Sequence, residues 1–265
     1  MRLLGAVLSG LVLLAAPAPA QQPESLKRVE SRAGVTQPFV LVEPPGSPTA
    51  SVILFTGGDG VLGFQGAGPF PRGKNFLVRN RQAFAAHGLL VAVIDVPSDH
   101  ASGLGRFRIA REHARDVAAV IAALRAKAAV PVWVVGTSRG TVSAVNAAAR
   151  LKDGGPDGLV IASSITRGAR ANVETVDDAG LGQVRIPTLV IHHEHDACSA
   201  TPGSDAHALF GRVHASRKEL LLFRGGAGGG SGRDACGAFA AHGYFGIDAE
   251  VVKAIADWIK ATPAR

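Results

Sequence analysis

The stretch Val132-Trp133-Val134-Val135-Gly136-Thr137-Ser138-Arg139-Gly140 decides the fold class of this chain. Its first four residues are β-branched or aromatic, as in a strand, and the alanine-rich segment 141–150 that follows has high helix propensity. Between them, the Gly-x-Ser-x-Gly pattern predicts a sharp turn, because glycines on both sides of Ser138 let strand and helix approach closely. The serine would then have a strained backbone and an exposed hydroxyl at the N-terminus of a helix.

Strand-like and helix-like segments alternate along the rest of the chain, and this alternation predicts a mostly parallel sheet covered by helices on both faces. We expect a single domain over residues 39–265, preceded by a loosely held polar arm at 21–38. The gap between Ser163 and Pro187 is too short for a large cap domain. The expected strands are 39–42, 51–56, 89–94, 132–135, 159–162, 188–192 and 219–223, and the expected helices are 76–87, 106–127, 141–150, 205–214 and 248–260.

The strand, turn and helix around Ser138 resemble the nucleophile elbow of the α/β-hydrolase superfamily. The chain looks like the small cap-less carboxylesterase and dienelactone-hydrolase-like branches. The resemblance implies an α/β-hydrolase fold and a catalytic triad in the chain order Ser, acid, His. Asp196 stands after the predicted strand 188–192, at the position of the family's acid, with Glu194 and Asp205 as alternatives. His242, in the last loop before the terminal helix, matches the base.

The resemblance also implies an oxyanion hole made of two backbone N–H groups. One would come from Arg139, directly after the nucleophile. The other would come from the loop after strand 51–56, where family members carry His-Gly-x and this chain has Thr56 followed by two glycines. Gly58 is the first candidate for this donor and Asp59 the second.

The chain has two cysteines, Cys198 and Cys236. In an oxidising compartment such a pair is typical of one disulfide, and two buried free thiols are the alternative. A bond would tie the loop of Asp196 to the loop of His242 across the glycine-rich segment 225–232. We therefore expect the cross-link to hold the candidate acid and base together.

The first twenty residues have the composition of a cleavable signal peptide. A basic Arg2 precedes an apolar run, and Ala18-Pro19-Ala20 forms a typical cleavage site, so cleavage is expected after Ala20. The apolar run is short for a membrane span, and nothing later in the sequence resembles one. The sequence thus predicts a periplasmic or secreted protein without a transmembrane segment in the mature chain.

The net charge of the chain is +7, and loss of Arg2 with the signal peptide leaves +6. The basic residues are dispersed, without the stripe of a nucleic-acid-binding surface, and they favour anionic envelope components only weakly. No nucleotide motif is evident, so no cofactor is expected. His192, His193, His195 and Asp196 could instead bind a metal, but Asp196 has a place in the triad and no distant ligand set is apparent, so no metal is expected.

These features together favour an exported serine hydrolase that cleaves small carboxylic esters through an acyl-enzyme on Ser138. An acyltransferase or peptidase with the same triad is the first alternative, because the sequence does not specify the acceptor. A non-catalytic envelope binding protein of the same fold is the second, because fold alone does not guarantee chemistry. The sequence does not determine the oligomeric state.

Overall fold

The computed structural model describes residues 21–64, 73–168, 173–226 and 232–263. The signal peptide expected at residues 1–20 and most of the glycine-rich segment lie outside these ranges. All the candidate catalytic residues lie within them.

A single eight-stranded sheet forms the centre of the protein, in the order β1-β2-β4-β3-β5-β6-β7-β8. The pairs β1–β2 and β2–β4 are antiparallel, and every other neighbouring pair is parallel. This arrangement confirms the predicted mostly parallel sheet. The strands are β1 (Glu24–Arg32), β2 (Val35–Val42), β3 (Ala50–Phe55), β4 (Leu89–Ile94), β5 (Val132–Thr137), β6 (Gly158–Ala162), β7 (Thr188–His193) and β8 (Lys218–Phe223).

Helices cover both faces of the sheet, because the central strands are apolar on both sides. In β3, for example, Ile53 belongs to the hydrophobic cluster on one face of the sheet, whereas Val52 and Leu54 belong to the cluster on the other face. None of the helices in the described ranges has both the length and the apolarity needed to cross a bilayer. The helices are α1 (Phe76–Arg79), α2 (Arg81–Ala86), α3 (Arg111–Lys127), α4 (Gly140–Arg150), α5 (Ala206–Gly211) and α6 (Asp248–Ala261).

The prediction of a loose N-terminal arm is wrong, because residues 21–38 contribute β1 and the start of β2 to the sheet. Strand β1 lies at the edge of the sheet, where one side faces water, so its sequence is polar. Arg32 fastens it to helix α3 through an ion pair with the buried Asp116, at 2.8 Å between Nε and Oδ1. Because this ion pair joins residues that are far apart in sequence, no hydrophobic pattern within residues 21–38 predicts the strand.

Two predicted helices are also divided in the structure. The helix expected over 76–87 is split into α1 and α2 at Asn80, whose side-chain amide donates to the Phe76 carbonyl. The helix expected from residue 106 begins at Arg111, and the preceding residues form 3₁₀ turns that bury Arg108. This buried arginine reaches the loop after β3, which is a candidate part of the site.

Candidate active site

Ser138 lies on the turn between β5 and α4 with a φ of +53°, the left-handed region that a non-glycine residue rarely adopts. The flanking glycines make this turn possible. A Cβ on Gly136 would lie 2.5 Å from the carbonyl oxygen of Gly140, and a Cβ on Gly140 would lie 2.0 Å from that of Phe55. The structure therefore has the tight strand–turn–helix unit predicted from the sequence, with Ser138 at its tip.

We expect Gly140→Ala to destabilise the protein by about 2 to 3 kcal/mol, because the new methyl group can be accommodated only if β3 and α4 move apart. Urea unfolding measures the loss. Gly211→Ala is the matched control, since a Cβ there would meet nothing within 4 Å. Equal stability of the two variants would contradict the close approach.

The loop after β3 lies directly against the serine. A Cβ on Gly57 would lie 2.9 Å from the Cβ of Ser138, so only glycine fits at this position. Within the described residues, the backbone N–H groups of Gly58 and Arg139 have no hydrogen-bond acceptor. The carboxylate of Asp59 accepts a hydrogen bond from the Val61 N–H, which shapes the turn. Two free N–H donors are thus available beside the nucleophile.

Arg108 supports this loop from beneath. Its Nη2 donates to the carbonyls of Thr56 and Gly58, both at 3.3 Å, and its Nη1 donates to Ser143 Oγ at 2.7 Å. Burial, reinforced by the charge of Arg139, lowers the pKa of the Arg108 guanidinium to about 9. Arg108 therefore remains positively charged at neutral pH.

Arg139 is held by a second buried group. Its Nη2 donates at 3.0 Å to the carboxylate of Glu174, which is buried. The carboxylates of Glu174 and of Asp59, which lies in the loop itself, face the two guanidinium groups of Arg139 and Arg108.

Asp196 and His242 are in direct contact. The Nδ1 of His242 donates to Asp196 Oδ2 at 2.9 Å, and both side chains are almost fully buried. With Nδ1–H committed to the carboxylate, Nε2 has a lone pair free to accept a proton. The N–H of Cys198 donates to the other carboxylate oxygen at 2.9 Å. The arrangement fixes one tautomer and one orientation of the imidazole.

Thr201 completes this group and was not identified from the sequence. Its hydroxyl donates to Asp196 Oδ2 at 2.9 Å and also lies 2.9 Å from His242 Nδ1. It is fully buried. A threonine five residues after the acid gives no pattern that would single it out.

The loop of His242 is supported by further residues that the sequence did not point to. Ser163 Oγ donates to the His242 carbonyl at 2.9 Å and lies 3.0 Å from the hydroxyl of the buried Tyr244. The guanidinium of Arg79 donates to the Gly243 carbonyl at 2.6 Å and forms an ion pair with Asp248 at 2.7 Å. These contacts hold the short 3₁₀ helix Ala241–Gly243, on which the base lies.

The predicted disulfide between Cys198 and Cys236 is confirmed. It joins the loop that carries Asp196 to the segment just before His242. Cys198 is buried, whereas Cys236 is exposed and lines the cavity described next. The bond therefore connects the surroundings of the candidate acid to the surroundings of the candidate base.

Ser138 and His242 line the same open cavity of about 360 Å³. Gly57, Gly58 and Cys236 also line it. The structure thus brings the predicted nucleophile, the predicted base and the first-choice oxyanion donor to one surface.

The two alternative acids form ion pairs elsewhere. Glu194 pairs with Arg224, and Asp205 pairs with Arg167 at 2.6 Å. Glu194 lines a larger depression of about 610 Å³ between β8 and α6, and neither Ser138 nor His242 is among the residues that line it. Asp196 is therefore the acid that the geometry favours.

Two of the residues considered for a metal, His193 and Asp196, are engaged in other hydrogen bonds. His193 Nδ1 accepts from the His195 N–H, so its Nε2 carries the proton and donates to the Gly225 carbonyl at 2.9 Å. Asp196, Cys198 and His242 lie close enough together to share an ion, but the Cys198 sulfur is bonded in the disulfide. Burial also lowers the pKa of His192, which keeps this imidazole neutral.

The strand order and the elbow can be compared with known proteins. No family model matches this sequence, and no curated protein is significantly similar to it. Solved structures do match it over most of its length. The chain has the α/β-hydrolase fold. Consistent with a site that has no cap, the described residues between β6 and β7 contain only a single 3₁₀ turn, at Leu181–Gln183.

Three of the similar structures illustrate the range of this fold. A dienelactone hydrolase from Anabaena variabilis is 18% identical, with 93% of this chain and all of that chain covered and a TM-score of 0.59. An α/β serine hydrolase without a lid from Xanthomonas campestris is 17% identical, with 94% of this chain and 100% of that chain covered and a TM-score of 0.59. A cold-adapted esterase from an Arctic intertidal metagenomic library is 18% identical, with 88% of this chain and 92% of that chain covered and a TM-score of 0.56. At such identities the likeness establishes the fold.

Proposed function

We propose that this protein is a serine hydrolase that cleaves carboxylic esters through an acyl-enzyme on Ser138. The observation that carries the proposal is the buried hydrogen bond between Asp196 and His242, whose imidazole lines the same cavity as the strained Ser138. A serine hydroxyl becomes a nucleophile when an oriented imidazole accepts its proton. The names of the similar structures, which include esterases and a dienelactone hydrolase, support the hydrolase class.

In this mechanism, Ser138 Oγ attacks the ester carbonyl while its proton passes to Nε2 of His242. Asp196 stabilises the resulting imidazolium through the Nδ1–H bond. The backbone N–H groups of Gly58 and Arg139 bind the oxyanion, because neither donates to another acceptor among the described residues. His242 then returns the proton to the leaving alcohol, and a water molecule repeats the sequence to release the acid.

We also propose that the protein works outside the cytoplasm, in the periplasm or the medium. The signal-peptide composition of residues 1–20 supports export. The disulfide between Cys198 and Cys236 supports it independently, since such bonds persist in oxidising compartments.

A pre-steady-state experiment tests the ester hydrolase against its alternatives. We expect 4-nitrophenyl acetate to give a burst of one 4-nitrophenol per enzyme, followed by slower turnover to acetate. An acyltransferase would turn over fast only with an added alcohol or amine, and a peptidase would cleave the matching 4-nitroanilide at comparable rates. The absence of both burst and turnover would favour the second alternative, a non-catalytic binding protein of the same fold.

Reduction of the disulfide should lower kcat before the protein unfolds. The bond closes a loop of 38 residues in sequence separation, which stabilises by about 3 to 5 kcal/mol in the chain-entropy model. We expect the loss of kcat to exceed what this loss of stability explains, because the Cys198 N–H also donates to the Asp196 carboxylate. Ester turnover and circular dichroism are measured together during titration with a phosphine reductant.

The double variant Cys198→Ser/Cys236→Ser is the second arm of this experiment, because it removes the bond without a reductant. Exported wild-type protein should yield the cross-linked peptide in a non-reduced digest. Full turnover in the folded, reduced protein would show that the bond does not position the acid and base.

A further inference from the structure

Two large apolar side chains are exposed among the described residues, and both lie on the loop of His242. Phe239 is 49% exposed and Phe245 is 39% exposed. Their rings contact each other edge to face, with centroids 5.0 Å apart. Single exposed apolar residues are ordinary on a protein surface, but a contacting pair beside a reaction cavity indicates a binding role.

Lys74 places a positive charge at the same point. Its side chain is exposed and lines the cavity of Ser138 and His242, and its Nζ lies 5.9 Å from the ring centroid of Phe239. No carboxylate pairs with this ammonium within the described ranges, and the residues outside those ranges include no Asp or Glu. The neighbouring Arg79, in contrast, is neutralised by Asp248. Lys74 is therefore a cation available to a ligand.

The two features are complementary to one kind of group. An unpaired ammonium favours an anion, and the ring of Phe239 lies beside it, 5.9 Å from Nζ to the ring centroid. The exposed ring favours an alkyl or aryl chain next to that anion. Lys74 lines the same cavity of about 360 Å³ as Ser138, so one small ligand can reach both side chains.

We propose that Lys74 and Phe239 form a subsite for esters that carry a carboxylate at the end of a short apolar chain or ring. This inference rests on the proposed ester hydrolysis and names its substrate class: monoesters of dicarboxylic acids, or esters of alcohols that bear an acid group. The anionic group binds to Lys74 at the cavity wall, while the ester reaches Ser138.

Two matched pairs of substrates test the subsite. The first pair is the mono-4-nitrophenyl ester of adipic acid and 4-nitrophenyl hexanoate, which differ by a carboxylate on the acyl side. The second pair is 4-acetoxybenzoate and 4-acetoxybenzamide, which differ by a carboxylate on the alcohol side. The quantity measured is the ratio of kcat/KM for the anionic member to that for the neutral member. The pair with the higher ratio shows on which side of the ester the anion lies.

We expect the wild type to prefer the anionic member of at least one pair, and Lys74→Met to reduce that ratio about tenfold. Lys74→Glu should reverse the preference. Phe239→Ala should raise KM for both members of the pair with a smaller change in the ratio. The preference should also decline with added salt in the wild type, because the charge is exposed. Lys27→Met is the control, since Lys27 is an exposed lysine on β1.

The outcomes separate this inference from the proposed function. If neutral esters are cleaved through Ser138 but neither ratio depends on Lys74, the subsite is refuted and the hydrolase stands. A wild type that prefers the neutral member of both pairs refutes it too. If no ester is cleaved and Ser138 is not acylated, the proposed function itself fails.

Discussion

Replacement of Ser138 by alanine is expected to reduce kcat for a 4-nitrophenyl ester by about a million-fold, leaving only what the oxyanion hole and binding contribute. The reason is that Ser138 is the one serine among the described residues that line the cavity of His242. Steady-state turnover of 4-nitrophenyl acetate, with circular dichroism to verify folding, measures the loss.

Ser164→Ala is a matched control for this change. Ser164 is buried, and its hydroxyl has no hydrogen-bond partner in the described part of the chain, so its removal costs neither a bond nor a reacting group. Turnover should remain close to the wild-type value. Retained turnover in folded Ser138→Ala protein would instead reject the nucleophile.

His242→Ala should lose about as much activity as Ser138→Ala, because the members of a triad act as a unit. Asp196→Asn should lose about ten-thousand-fold, since it disturbs the imidazole tautomer but leaves the base in place. kcat for the same ester is measured in each purified variant. The exposed His195 provides the control, and His195→Ala should be nearly silent.

The opposite order of damage would have a definite meaning. If His195→Ala were worse than His242→Ala, the base would be wrongly assigned and the metal alternative would gain support. Metal analysis of the purified protein, together with turnover after dialysis against a chelator, distinguishes these two accounts.

Much of the fold was predictable because its signals are local. The apolar runs of the parallel strands are continuous, and Gly136 is dictated by a contact with Gly140 within the same turn. The disulfide followed from the number of cysteines and the expected compartment. Asp196 and His242 followed from chain order within a recognised fold, and their mutual contact is a property that the structure adds.

The remainder depends on contacts between residues distant in sequence. Strand β1 is polar because an edge strand faces water, and its attachment comes from Arg32 and Asp116, 84 residues apart. Arg79 supports the Gly243 carbonyl across 164 residues, and Arg108 reaches back 52 residues to Thr56. No periodicity or motif marks such residues, because each acts through a single side chain placed by the whole fold.

The most direct test of the central claim is to react the exported protein with a fluorophosphonate and map the adduct by peptide mass spectrometry. We expect one stoichiometric adduct on the peptide containing Ser138, absent from Ser138→Ala and formed far more slowly in His242→Ala. The labelled protein should also have lost all ester turnover. An adduct at a different serine that abolishes turnover, or full turnover with Ser138 occupied, would contradict the central claim.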